Sequence, residues 1–490
     1  MRNKFSIKLL WALGIALCLV SPSWAEIRTI TATGEYRMGD NDTRTDAKRL
    51  ALLDAKRLAL EQVGAYLESV TEVKNLRVTR DELNAYTAGI VEVTEMSTKD
   101  VLESTTHVLR VQVVTKIDTG VVWSAINGLR NNDVAKTQLL AVRDDRDRLR
   151  RELDERNREL AALKTNDEIS KAYRDREKTI TKLDVNALLA RAAVESGAQQ
   201  SGGFLVVGTS SPEGRLRVRN TLHEALDLDP SNPVVHSAIG ILLMEERRFK
   251  EAYEEFHVAL LYKFPYPEII HSNLGMALTA MHDYKGAIKE YHEALKINPG
   301  MVVVRNNLGE ALRTNGDYEE AIAEFRKVLK SDPKHVLALN NLGLALHEKG
   351  DSESAAEYFR AAIQLNPNIA LIHNNLGEAL AGKGDIDGAI PEYRKALEIQ
   401  PDLAYPRTNL GFALIVKGEY EKAITEFRKA QFYQPDLAFV HIGLGMTYKA
   451  MGRLPDASRE FKEYLKMAPD TALDRMWIER VRAILAEIEK

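Results

Sequence analysis

Asn306-Asn307-Leu308-Gly309, Asn340-Asn341-Leu342-Gly343 and Asn374-Asn375-Leu376-Gly377 are three copies of one phrase, preceded by Ser272-Asn273-Leu274-Gly275 and followed by Thr408-Asn409-Leu410-Gly411. Glycines 275, 309, 343, 377 and 411 stand 34 residues apart, and one further interval reaches Gly445. A fixed period of this length marks a repeat array, in which each unit buries its apolar face only against its neighbours. The period settles the fold of half the chain before any single helix is assigned.

With Gly309 as the eighth position of a unit, the seventh is Leu308, the eleventh Leu312, the seventeenth Tyr318, the twentieth Ala321, the twenty-fourth Phe325 and the thirty-second Pro333. The next unit supplies Leu342, Gly343, Leu346, Ala355, Phe359, Ala362 and Pro367, and the one after it Leu376, Gly377, Leu380, Ala389, Tyr393, Ala396 and Pro401. Gly and Ala fall where two helices approach too closely for a larger side chain. Pro ends the second helix, because it lacks the N–H donor and its ring clashes with the preceding turn. Asn315-Gly316-Asp317-Tyr318, Lys349-Gly350-Asp351 and Lys383-Gly384-Asp385 supply the turn inside each unit.

Seven units are centred on Gly240, Gly275, Gly309, Gly343, Gly377, Gly411 and Gly445, spanning residues 233–470. The first step is 35, which places one inserted residue near Phe264-Pro265-Tyr266-Pro267. The seventh unit keeps Ala457, Phe461 and Pro469 but has Gly443 and Tyr464 where Asn and Ala are expected. Residues 471–490 form an amphipathic capping helix with Leu473, Trp477, Val481, Ile484 and Ile488 inward. Upstream, residues 197–232 read as a degenerate first repeat, since Thr221 to Pro230 matches the closing half of the later units.

These offsets resemble the tetratricopeptide repeat, whose helix-turn-helix units stack into a right-handed superhelix. The resemblance implies that the first helix of each unit lines a concave groove and that the sixth position points into it. That position reads Asn273, Asn307, Asn341, Asn375 and Asn409, and the column is similar to the Asn ladder in the array of O-linked N-acetylglucosamine transferase, which binds polypeptide. Asn is a mediocre helix former, and its amide offers a donor and an acceptor to the backbone of an extended peptide. The ninth position meanwhile varies through Met276, Glu310, Leu344, Glu378 and Phe412. With Arg313 and His347 one turn on, it would tune sequence preference. The competing explanations for the Asn column are copying by duplication and structural hydrogen bonding.

The first 25 residues read as a secretory signal: Arg2, Lys4 and Lys8, an apolar run from Leu9 to Val20, and Ser23-Trp24-Ala25 before the cut. An uncleaved anchor or lipidation at Cys18 are the alternatives. Cys18 is the only cysteine, so cleavage after Ala25 leaves a periplasmic or secreted chain without thiol chemistry or disulfides. Removing three cations takes the formal charge from -4 to -7, which offers nucleic acid no basic field. No other segment is long and apolar enough to cross a membrane.

Residues 26–120 read as a small α+β domain: a strand over Ile27 to Met38, a long helix capped by Asp42 or Thr43, a short helix from Thr79, and strands over Ile90 to Met96 and His107 to Ile117. Through Ala32-Thr33-Gly34-Glu35, Asp54 to Gly64 and Tyr86 to Val91, this stretch resembles the N-terminal domain of flagellar assembly protein T and related envelope domains. The resemblance implies an envelope-associated interaction domain. Residues 121–196 form a charged helical spacer. Leu139, Val142, Leu149, Leu153, Leu160 and Leu163 fit heptad core steps there, against Arg146 and Arg156. A dimerising coiled coil over residues 139–163 and a solvated spacer both fit this pattern.

The fold expected is therefore multidomain: an α+β domain, a helical or coiled-coil spacer, and an all-α superhelical solenoid. His236, His271, His373 and His441 share the fourth position, but Arg305, Leu339 and Arg407 interrupt any metal row. No nucleophile elbow, phosphate loop or HExxH motif occurs, so neither catalysis nor a cofactor is expected. The function expected is a non-enzymatic exported scaffold whose Asn ladder binds an extended polypeptide in support of envelope assembly. The alternatives are a structural part of an envelope machine and a relative of the glycosyltransferase, the latter disfavoured because only about 20 residues follow the repeats.

Overall fold

The structure, a computed structural model, describes residues 27–73, 92–118, 133–195, 212–468 and 472–489. It comprises two compact units, residues 1–281 and 282–490.

In the first unit, β1 (Ile27–Arg37), β2 (Glu92–Glu103) and β3 (Thr106–Asp118) form an antiparallel sheet of order β1-β3-β2. α1 (Arg44–Val73) lies across one face of it. Ala47, Ala51, Ala55 and Ala59 of α1 meet Ala32, Leu109, Val111 and Val113. The helix stripe is alanine because the approach is close: a Cβ on Gly34 would run into the backbone of Ala51 and Ala55. Thr43 caps α1, its Oγ1 accepting from the Asp46 N–H at 3.2 Å. Asp42 instead accepts from the Gly39 N–H at 2.8 Å and the Tyr36 hydroxyl at 3.0 Å. β2 runs past Met96 to Glu103, in register with β3 across a bulge at Glu95/Ser97. Its polar stretch Ser97-Thr98-Lys99-Asp100 lacks the alternation that reveals a strand. The short helix expected from Thr79 lies outside the described residues.

α2 (Asp133–Ala162) and α3 (Asn166–Glu195) form an antiparallel hairpin, joined by Asn186 to Asp145 at 2.8 Å and Thr179 to Glu152 at 3.3 Å. The part of the leucine seam whose side chains are described is used within the chain, so neither a bare spacer nor a free dimer face is what these leucines form. Leu149 and Leu153 pack with Leu50 of α1 and Ile180 and Leu183 of α3, and Leu160 is also buried. Apolar spacing shows that a stripe is covered, not by which helix. Arg146 and Arg156 pair with Asp147 and with Glu152 and Glu159. Arg176 of α3, fully buried, donates to Asp42 at 2.6 Å and so ties the hairpin to the sheet domain.

The C-terminal half of α3 has a second employment. Its Val185, Leu189 and Ala192 join Val218, Leu222 and Ala225 of α4 (Pro212–Leu228) and the core of α5 (Pro233–Glu245) and α6 (Phe249–Leu261). Of residues 197–232, the expected degenerate first repeat, the described helix is α4, and the helix that packs with it is the end of α3. α7 (Pro267–Ala280) completes the first unit.

The second unit is helical throughout its described residues. α8 (Tyr284–Ile297) is followed by first-and-second helix pairs: α9 (Val302–Asn315) and α10 (Tyr318–Ser331), α11 (Val336–Lys349) and α12 (Ser352–Leu365), α13 (Ala370–Gly382) and α14 (Ile386–Ile399). Then come α15 (Ala404–Val416) and α16 (Tyr420–Tyr433), α17 (Phe439–Ala450) and α18 (Leu454–Met467), and α19 (Ala472–Ile488). Within a pair, the twenty-fourth-position ring lies over the eighth-position glycine. A Cβ on Gly343 would sit 2.7 Å from the Phe359 ring. The turn works as its sequence suggests: Gly350 takes the left-handed conformation at φ +100°, and Asp351 caps α12 by accepting from the Ser354 N–H at 3.1 Å. Among the described residues no helix is long and apolar enough to cross a membrane.

Candidate functional site

Within residues 302–450 each first helix touches the next first helix more closely than successive second helices touch one another. A stack that closes up more tightly on one layer bends toward it, so α9, α11, α13, α15 and α17 form the inner layer of this unit.

The seams between these inner helices are stitched by amides. Asn375 Nδ2 donates to Asn340 Oδ1 at 2.9 Å, Asn409 Nδ2 to Asn374 Oδ1 at 3.0 Å, and Asn341 Nδ2 to Asn306 Oδ1 at 3.5 Å. Each rung joins the sixth position of one unit to the fifth of the unit before it, 35 residues away. Packing therefore does give the sixth position a job. Asn340, Asn374 and Asn375 are buried, and Asn341 and Asn409 are half-buried. Asn340 also donates to Asn341 Oδ1 at 3.1 Å. Asn307, half-buried as well, makes no side-chain hydrogen bond among the described residues. Asn273, in the first unit, is buried with an unpaired Nδ2, and the Ser237 hydroxyl is likewise buried and unpaired. Ser237 occupies the fifth position of the preceding unit, 36 residues back, which is the usual spacing plus the inserted residue. Serine is too short to complete the rung.

The other expected groove residues are also engaged. Glu378 accepts from Asn374 at 2.9 Å and from Asn409 at 2.6 Å. Arg313 donates twice to Glu310, at 3.0 and 2.6 Å, and pairs with Glu348 of the next inner helix. Burial raises the Glu348 carboxyl despite that guanidinium. His347 Nδ1 meets Ser352 Oγ at 2.9 Å. These contacts hold the inner layer together and leave few free polar groups on it.

The fourth-position Arg and His side chains bridge the two helices of a unit. Arg305 reaches Glu324 at 2.7 Å, His373 reaches Glu392 at 2.7 Å, Arg407 reaches Glu426 at 2.8 Å and His441 reaches Glu460 at 2.7 Å. Arg305, His373 and Arg407 also donate to the carbonyls of Pro299, Pro367 and Pro401. His236 repeats the pattern with Glu255 at 2.6 Å and the Pro230 carbonyl at 3.0 Å. Desolvation opposes the charged ring there, but the hydrogen bonds to Glu255 and Pro230 prevail and raise its pKa.

One column stands free of this bonding, and the sequence reading passed over it. At the second position of four successive inner helices, Val303 is 65% exposed, Leu337 60%, Leu371 59% and Tyr405 60%. Single exposed apolar residues are ordinary, but a row of them in one register is a surface feature. The signal was present as an apolar residue every 34 positions; amid apolar neighbours such as Val304, Ala338 and Ile372 it reads as core. At the end of the column Phe439, second in its unit, is covered: Trp477 of α19 meets it edge-on at 5.4 Å between centroids, and Phe412 at 5.8 Å.

A tightly stacked inner layer of this kind defines a helical repeat solenoid. Residues 272–335, 306–368 and 340–404 match the tetratricopeptide repeat family, so this stretch is a tetratricopeptide repeat array. Among solved structures, the chain is similar to MamA, at 27% identity over 34% of this chain and 91% of that one, with a TM-score of 0.31. It is also similar to a tetratricopeptide repeat protein from Parabacteroides merdae ATCC 43184, at 16% identity over 52% and 98% of the two chains, with a TM-score of 0.45. A third is YrrB, a tetratricopeptide repeat protein with an unusual peptide-binding site, at 20% identity over 39% of this chain and 97% of that one, with a TM-score of 0.31. No curated protein matches the chain.

Proposed function

We propose that this protein is a non-enzymatic scaffold that holds a polypeptide segment of a partner along the inner layer formed by α9, α11, α13 and α15. The observation that carries this reading is the exposed column Val303, Leu337, Leu371 and Tyr405, on a face whose polar side chains are mostly bonded within the array. An extended segment read by the Asn ladder would need donors that the rungs already use. Of the five ladder residues, Asn307 is half-buried with an amide that no described side chain holds, and Glu310, Arg313, His347 and Glu378 lie on the same inner helices as the column. Export after cleavage behind Ala25 would place the scaffold in the periplasm or outside the cell. The sheet domain of residues 27–118, by its likeness to envelope domains, would address it to the envelope and support assembly there.

The test is crosslinking in the envelope fraction, comparing wild type with Leu337→Glu/Leu371→Glu. Both side chains are exposed, so thermal stability is expected to hold while specific crosslinks from the inner layer disappear. Unchanged crosslinks in a variant of unchanged stability would refute the reading.

A further inference from the structure

We infer that the segment held on this face is an amphipathic α-helix with large apolar side chains one heptad apart, rather than an extended chain. The inference rests on the polypeptide-binding reading above and names the conformation of the partner.

The first ground is hydrogen bonding. An extended segment brings one N–H and one C=O per residue, and each needs a partner when water is excluded. The inner layer has little to offer them. Asn341, Asn375 and Asn409 donate to neighbouring units, Glu378 accepts two amides, and Arg313 is held by Glu310 and Glu348. An α-helix satisfies its own backbone and needs only apolar cover for its stripe.

The second ground is spacing. Packed helices lie about 8–10 Å apart, and seven residues of α-helix rise about 10.5 Å. Apolar residues at i, i+7, i+14 and i+21 would meet Val303, Leu337, Leu371 and Tyr405 in turn.

The third ground is continuity with an interface that the chain already makes. The last member of the same column, Phe439, is covered by Trp477 of α19, a helix whose Val481 and Leu485 are also buried. The chain closes its own end of the column with an amphipathic helix, and the four open members call for another, from a partner protein.

The experiment measures binding of fluorescent synthetic peptides to the full chain by anisotropy. One peptide of about 25 residues carries four leucines at heptad spacing on an Ala/Glu/Lys background, long enough for the four-residue column at about 1.5 Å per residue. A second carries leucines every third residue with interspersed prolines, matching the same distance in extended form. We expect the heptad peptide to bind and gain helical circular dichroism, and Leu337→Glu/Leu371→Glu to weaken it on the order of 100-fold by exposing two leucine contacts. Tighter binding of the extended peptide would overturn the helix inference and leave the scaffold reading standing. Equal binding of the heptad peptide by the variant would overturn the inference as well. Failure of both peptides would overturn both.

Discussion

Replacing Asn375 by Ala should loosen the seam between α11 and α13. Asn375 is 4% exposed and donates at 2.9 Å to Asn340 Oδ1, itself 6% exposed. The substitution removes the donor and leaves a buried acceptor unpaired, which costs about 1–3 kcal/mol. In a repeat array this loss is felt mainly by the units that share the seam. The appropriate assay is native-state hydrogen exchange, read on the amides of α11 and α13, where the penalty corresponds to exchange roughly 5- to 150-fold faster. Asn307→Ala is the internal control. Its side chain is half-buried but unbonded among the described residues, so no partner is orphaned and its cost should stay within about 0.5 kcal/mol. Asn375→Asp should be at least as damaging as the alanine, because a carboxylate would face the carbonyl oxygen of Asn340 with no proton between them. If Asn375→Ala proves as silent as Asn307→Ala, the rungs do not hold the inner layer together and the polar accounting behind the helix inference fails with them.

Three further expectations follow from the same geometry. Asn273→Leu should raise the melting temperature, by about 1 kcal/mol of stability, since it removes a buried donor without a partner; a fall would mean that a partner holds that amide. His236→Arg should abolish one pH dependence. The raised pKa of His236 means that its contribution is fully present below about pH 6.5 and lost as pH rises through the folded value. Arg305 and Arg407 make the same two contacts through a guanidinium, so melting at about pH 5.5 and 8.5 should separate wild type from variant only at the higher pH. Gly343→Ala, whose methyl would meet the Phe359 ring at 2.7 Å, should cost about 1–3 kcal/mol. Gly316→Ala, with open space but φ +92°, should cost about 1 kcal/mol, and thermal unfolding should rank the two accordingly.

The period, and with it the helix pairs, was legible because each structural residue recurs in one register: Gly343 under Phe359, Asp351 at the start of α12, Pro367 beyond its end. The rungs were harder to read, because they join the sixth position to the fifth of another unit rather than to anything nearby. A trace of them does stand in the sequence. Fifth-position Asn306, Asn340 and Asn374 are each followed one unit later by Asn341, Asn375 and Asn409, whereas fifth-position Thr408 is followed by Gly443. The leucines of α2 showed that the helix buries a stripe. That α1 and α3 cover Leu149 and Leu153 is tertiary information, which heptad spacing does not contain. Exposure of the second position was hidden for a simpler reason: in a helix apolar on most sides, which side is left bare depends on the neighbours.

α3 lends its first half to the sheet domain, through Arg176, Ile180 and Leu183, and its second half to the repeat stack, through Val185, Leu189 and Ala192. Such a helix acts as an indexed shaft. One residue added between Leu183 and Val185 would advance the far half by about 1.5 Å and turn it by roughly 100°, carrying its apolar stripe out of one core or the other. Length at this point can therefore change only in steps close to whole turns, and the angle between the two cores that α3 serves is set by the count of residues in the shaft rather than by a linker.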